Sequence, residues 1–310
     1  MKKVLITGGT GLIGKVLLKQ LIAKNYQPVL LSRSSGKLKM NVKGKDYEIE
    51  KKRWNVEKNE IDKSCFDGVE AIIHLAGEGI ADKRWTAKRK QEIIDSRVNS
   101  AKLLADNLPE SHQIKKIVSA SAIGFYGGKN RNEICDETAQ PGTDFLAKSC
   151  VAWENSVENF FKKGITTAIL RVGIVLAKEG GALPAMIYPV KWWVGAPIAS
   201  GKQPIPWIHI EDIAAQFVFL LENENLQGIY NGVAPNVTNN LSITKLIGKY
   251  LHHPIWLPNV PAFVLNLMLG ELSVLVTDGN NVSGEKIKQA GFQYKFENIE
   301  TALSDLLEKS

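Results

Sequence analysis

The chain has 310 residues, of which 44% are hydrophobic and 23% charged, with a formal net charge of +7. This is the balance of an ordinary soluble globular protein, long enough for one large domain or for a domain with a smaller appendage. The basic residues lie in short separate runs at 51–53, 83–84, 88–90, 115–116 and 162–163, so the excess reads as solvated surface or a rim for anionic ligands, and nucleic acid is not an expected partner.

The start, Met1 to Thr7, offers too short an apolar run for a signal peptide and goes straight into a glycine turn. The three cysteines, Cys65, Cys135 and Cys150, are odd in number and lack metal-ligand spacing, which fits unpaired thiols in a reducing compartment. A cytoplasmic protein without a metal site is expected.

In chain order, the β-branched run Val4-Leu5-Ile6 gives way to Ile13, Leu17, Leu18, Leu21 and Ile22 at helical spacing. Val29-Leu30-Leu31 and Ala71-Ile72-Ile73 follow as strands, then a helix whose apolar positions run from Ile93 to Ala105, then Ile117-Val118. Residues 168–172 and 228–231 supply later strands. Continuous apolar runs between helices indicate strands covered on both faces, so the fold class is α/β with a Rossmann-type doubly wound parallel sheet. Pro and Gly thicken between 180 and 206, as in loops inserted on the substrate side. After Pro235 the alternation fades, and 242–251 and 260–269 read as helices of a small, mostly helical lobe. The expected organisation is a nucleotide-binding domain over 1–235 and a C-terminal substrate lobe over 236–310. The apolar stretch 255–276 is interrupted by Pro258 and Pro261, which leaves about ten apolar residues against the ~20 of a membrane span. It reads as a buried helix, and no membrane partner is expected.

Gly8-Gly9-Thr10-Gly11-Leu12-Ile13-Gly14 follows a buried strand and opens a helix. In that context the glycines let the backbone turn sharply and approach a pyrophosphate, which the helix N-terminus then faces with unpaired N–H groups. A glycine turn without a ligand is the competing reading. At the end of the second strand, where an acid would bind ribose hydroxyls, stand Ser32 and Arg33. A hydroxyl beside a guanidinium suits a 2′-phosphate, so NADP(H) is favoured over NAD(H).

These residues, together with His74-Leu75-Ala76-Gly77 and the segment Ser119 to Gly127, resemble the extended short-chain dehydrogenase/reductase superfamily. Within it the chain is similar to epimerase-related proteins of the nucleoside-diphosphate-sugar epimerase type. The closer likeness rests on residues 77–82, Arg84-Trp85, Ser96-Arg97, Trp153-Glu154, Arg171 to Leu176, Trp207 to Asp212 and a terminal segment, 257–303, like the small domain of unknown function that ends those proteins. The resemblance implies that Leu75, Ala76 and Gly77 lie beside the cofactor, with Ser119 near them. It implies too that Glu92 and Arg97 line the pocket and that Val175 approaches the nicotinamide end. Arg97 would serve as a phosphate counter-charge and Glu92 as a hydrogen-bond acceptor, although each alone also fits a solvated helix residue. His74, on an apolar strand, is more simply read as a satisfied core histidine.

The superfamily's Tyr-x-x-x-Lys pair places both side chains on one helix face, where the ammonium lowers the phenol pKa. In the matching stretch, Asp144 to Glu154, Phe145 occupies the tyrosine position and Ser149 the lysine position. Lys148 is rotated about 100° off that face. Of the seven tyrosines only Tyr47 has a lysine four places on, Lys51; that stretch alternates like a strand, which separates the two by roughly 13 Å, and it is expected to precede the third strand, far from the substrate. Ser121 and Tyr126 are therefore the candidate catalytic residues, while His209 fits a turn anchor as well as a site. The expectation is an oxidoreductase or epimerase-like enzyme on an unidentified small molecule, with an NADPH-binding sensor as the alternative. A homodimer is expected from the fold alone.

Overall fold

The computed structural model describes residues 1–128 and 133–308. Its main sheet starts with β1 (Lys3–Thr7), followed by helix α1 (Leu12–Ala23) and β2 (Gln27–Ser32). Then come β3 (Gly36–Val42), β4 (Lys45–Asn55), the short β5 (Glu60–Ile61) and β6 (Val69–His74), helix α2 (Ala87–Asp106) and β7 (Lys116–Ala122). Helix α3 (Phe145–Phe161), β8 (Thr166–Val172), β9 (Ile174–Ala177), β10 (Gly180–Gly181) and helix α4 (Leu183–Lys191) follow. After β11 (Pro204–Ile205) and β12 (Trp207–His209), helix α5 (Ile210–Glu222) leads to β13 (Gly228–Gly232). The rest comprises β14 (Thr238–Asn239), α6 (Asn240–Tyr250), α7 (Ala262–Leu269), α8 (Val274–Thr277), α9 (Glu285–Gln289) and α10 (Ile299–Leu307).

Strand order is β13-β8-β7-β6-β1-β2-β4-β3, and every neighbouring pair is parallel except β3 with β4. This is a doubly wound sheet with a largely helical C-terminal lobe, α7–α10. Leu17, Leu18 and Leu21 of α1 pack in one buried cluster with Phe217 and Leu220 of α5, whereas Leu103 and Leu104 of α2 pack in another with Val157 and Phe160 of α3. The central strands bury both faces, which is why they read as unbroken apolar runs. The order reverses between β1 and β6, so the crevice at the carboxyl ends of those two strands is where such a sheet takes a ligand.

Two local expectations are corrected. The stretch Tyr47–Lys51 does not precede the third strand; it lies within β4, the third parallel strand itself, paired with β2. A β3–β4 hairpin stands where a crossover helix would ordinarily run, and its alternating polar residues left no continuous apolar signal. Helix α7 is not buried, since none of its residues is and Phe263, Leu267 and Met268 are 72%, 83% and 62% exposed. An eight-residue helix in which Asn266 is the one polar residue carries no pattern that distinguishes a covered from an uncovered position. Among the described residues no helix is long and apolar enough to cross a membrane.

The Trp207-Ile208-His209-Ile210-Glu211-Asp212 segment serves the fold. His209 caps α5 by accepting the Glu211 N–H at Nδ1, 3.1 Å, and its ring packs against Phe296 at 3.8 Å. Both carboxylate oxygens of buried Asp212 accept backbone N–H groups, from Lys295 and Phe296, at 2.9 Å each. The C-terminal segment is thereby fastened to the face of the sheet that carries α5.

Candidate functional site

The glycine turn between β1 and α1 is built by exclusion. Gly8 has φ +69°, and a Cβ on it would lie 2.8 Å from the Leu75 carbonyl carbon. A Cβ on Gly14 would stand 2.4 Å from Gly8 O and 2.6 Å from Gly9 Cα. These are backbone neighbours that cannot move aside, so strand, turn and helix approach more closely than any other residue permits. Helix α2 is capped by Thr86 and α3 by Asp144, but α1 begins at Gly11 with no side-chain cap and no acid in its first turn. Its orphan N–H groups and positive dipole end face the crevice. Leu12 meets the β9–β10 turn, 3.1 Å from the position of a Gly180 Cβ, and Val175 O accepts from the Ala182 N–H in the same turn at 3.2 Å. Gly8 to Gly14 and Val175 are thus brought to one edge.

Thr7, which the sequence did not single out, ties the ends of β1 and β6 together. Its Oγ1 accepts the N–H groups of Leu75 and Ala76, each at 3.1 Å, and lies 2.8 Å from His74 Nδ1. His74 Nε2 is 3.3 Å from Ser100 Oγ, whose own proton goes to Arg97 O. The consistent assignment is a neutral ring protonated at Nε2 that accepts from Thr7 at Nδ1. His74 is fully buried, and burial pulls its pKa down to about 4. Because this lies below the unfolded value of about 6.5, stability is intact above pH 6.5 and is lost as pH falls toward 4, by about 3 kcal/mol in total. Denaturant unfolding at pH 7 and pH 4.5 should show that loss, and a smaller one in His74→Gln.

The cation and carboxylate expected on α2 are both engaged. Arg97 donates to Ile93 O at 2.7 Å and Glu78 O at 2.9 Å, its guanidinium sits 4.8 Å from the Trp153 ring centroid, and its stem closes on Gly77. Glu92 pairs at 3.2 Å with Arg89, which also grips Glu78 and Gly79 O. Arg89 is therefore the organiser of the 77–82 loop, and its burial inside a basic run hid that role.

At the carboxyl end of β2, Ser32 is half-buried and Arg33 exposed. Ser32 Oγ accepts the Ser34 N–H at 3.2 Å. No Asp or Glu stands at this strand end, from Ser32 to Gly36.

Ser119, Ser121 and Tyr126 lie deeper. Ser119 is fully buried and bonds to Ala120 O at 3.1 Å. Ser121, 1% exposed, donates to Glu154 Oε1 at 2.7 Å, and the same carboxylate receives Arg171 Nε at 2.8 Å and Nη2 at 2.9 Å. Arg171 Nη1 reaches the Tyr126 hydroxyl at 3.1 Å, and that oxygen is 2.7 Å from Asn231 Oδ1. Burial pushes the Tyr126 phenol up to about 12. Both candidate catalytic hydroxyls belong to one buried ion-pair network.

The crevice as built fits a dinucleotide: an uncapped helix end, a turn into which no Cβ fits, and backbone held beside it by Thr7. Comparison with known proteins agrees. The model of the NAD dependent epimerase/dehydratase family matches residues 4–231, and that of a domain of unknown function, DUF1731, matches residues 260–306.

The chain belongs to the NAD dependent epimerase/dehydratase family.

It is 34% identical over 310 residues to a chloroplastic epimerase family protein of Arabidopsis thaliana, an SDR39U1 homolog, covering 98% of this chain and 86% of that one. With the epimerase family protein YfhF of Bacillus subtilis it shares 33% identity over 303 residues, 97% of each. The crystal structure of human epimerase family protein SDR39U1 with NADPH is similar at 27% identity and TM-score 0.84, covering 99% of this chain and 100% of that one.

Within this epimerase-family fold, Phe145 opens α3 and Ser149 follows one turn later. The Phe145 ring meets Trp85 edge-on at 4.9 Å and lies 5.4 Å below Lys90 Nζ. Ser149 is buried and donates to Leu146 O at 2.8 Å, within its own helix. The 78–86 loop over Phe145 reaches the C-terminal lobe, with Arg84 Nη2 on Met268 O at 2.6 Å.

Proposed function

We propose that the chain is an NADP(H)-binding member of the epimerase family that acts on a small molecule without a Tyr-x-x-x-Lys pair. The observation that carries the coenzyme choice is the end of β2, where Ser32 and Arg33 stand and no acid would repel a 2′-phosphate. The human relative that was crystallised with NADPH supports it. Gly8 to Gly14 would hold the pyrophosphate, Leu75, Ala76 and Gly77 would flank the crevice, and Val175 would approach the nicotinamide. A bound coenzyme supplies hydride chemistry. The chain's own part is to bind, orient and keep water out.

At the positions of the family's pair, Phe145 has no proton to give, and Ser149 spends its own inside the helix. Ser121 and Tyr126 remain the proposed donors, each reaching a substrate only as part of the Glu154–Arg171 network, so turnover is expected to be slow. That engagement also favours a second reading, a sensor of NADPH without turnover. NADPH oxidation against a panel of carbonyl compounds separates the two: turnover that collapses in Ser121→Ala supports the enzyme, and tight binding without turnover supports the sensor. For the coenzyme, Arg33→Ala should weaken NADPH binding by roughly tenfold and leave NADH unchanged. Equal losses for the two coenzymes would remove the argument from β2.

A further inference from the structure

Three cations stand about the carboxyl end of β2 without a carboxylate partner among the described residues: Arg33, Lys51 and Arg53. Their neighbours are neutralised, Lys52 by Glu50 at 2.9 Å and Lys37 by Glu48 at 2.5 Å. Lys51 reaches this place from another strand. On β4 it pairs in register with Leu30 of β2 and Gly36 of β3, while Arg53 pairs with Ser32. Its Nζ donates to Ser34 Oγ at 3.3 Å, and Ser34 Oγ is 3.5 Å from Ser32 Oγ. An ammonium that donates to a hydroxyl leaves that hydroxyl's own proton for a further acceptor. Lys51, Ser34 and Ser32 therefore form a line of donors with no acid to receive them, and Arg33 stands beside it.

We propose that Lys51 is a specificity-determining residue: with Arg33 it supplies the second cation for the 2′-phosphate that distinguishes NADP(H) from NAD(H). This rests on the coenzyme reading given above. Lys51 has a half-buried stem in the hairpin that replaces a crossover helix and its ammonium already donates to Ser34 Oγ, whereas exposed Arg33 has to be ordered by the ligand. A fixed positive charge is the less costly partner for a dianion.

The test uses the full chain with Lys51→Met and Lys51→Arg, titrated with NADPH and NADH, and with 2′,5′-ADP against 5′-AMP, at low and high salt. Lys51→Met is expected to weaken NADPH and 2′,5′-ADP by about tenfold at low salt, less at high salt, and to leave NADH and 5′-AMP unchanged. Lys51→Arg should restore most of the loss. If Lys51→Met keeps the full NADPH preference while Arg33→Ala reduces it, Lys51 has no part and the coenzyme reading stands. If the unmodified chain binds both coenzymes equally, both fall. Equal weakening of NADPH and NADH in Lys51→Met marks a structural effect and also overturns the proposal.

Discussion

Arg171→Met is expected to destabilise the protein by about 3–5 kcal/mol, because it strips a buried carboxylate of its counter-ion. Arg171 is 1% exposed, holds both oxygens of Glu154, and lies with its guanidinium 3.3 Å from the centroid of the Phe125 ring. Without it, the Ser121 hydroxyl is the one hydrogen-bond partner that the Glu154 carboxylate keeps among the described residues. The double change Arg171→Met with Glu154→Leu should regain most of the loss, since a buried ion pair replaced by apolar volume is often neutral. Denaturant unfolding measures both. A single variant that unfolds like the unmodified protein would mean that the network carries no such energy.

Gly14→Ala should lower both stability and coenzyme affinity, and Gly11→Ala should lower stability by less. The added carbon at Gly14 falls 2.4 Å from Gly8 O, against 3.2 Å for the same atom at Gly11, where φ is −73°. Relief at Gly14 requires α1 to move away from the turn, at about 1–3 kcal/mol of overpacking. The same movement would displace the helix end from the pyrophosphate proposed to sit there, and coenzyme binding should weaken by roughly tenfold or more. Thermal melts and a fluorescence titration of each variant would show whether the two effects travel together.

The parts of this molecule that were legible beforehand are those whose cause is local in sequence. Apolar runs at 4–6, 29–31, 71–73 and 117–118 became adjacent parallel strands, because a strand covered on both faces needs no polar alternation. The glycine turn was legible because its spacing between a strand and a helix is local, although the demand on Gly8 comes from the Leu75 backbone in another strand. Partnerships between distant residues were not. Arg171 within Ala-Ile-Leu-Arg-Val is a charge in an apolar strand, which calls for a buried partner, but nothing in the spacing singles out Glu154, seventeen residues earlier. Thr7 hid in the same manner, since nothing before folding shows that its hydroxyl meets the backbone of residues 75 and 76. The β3–β4 hairpin was missed for a different reason. Its lysines and glutamates mask the half-buried Leu38, Met40 and Tyr47 between them.

That hairpin leaves β3 as the outermost strand on its side of the sheet. A bare strand rim can template the stacking of one copy on the next, and such rims are commonly guarded by charge. Here Lys37, Lys39 and Asn41 point to solvent while Leu38 and Met40 turn inward. Lys37 is neutralised by Glu48, so it is the Lys39 ammonium of each copy that two such rims would bring together. That charge opposes the stacking of one copy on the next at the open edge of the sheet.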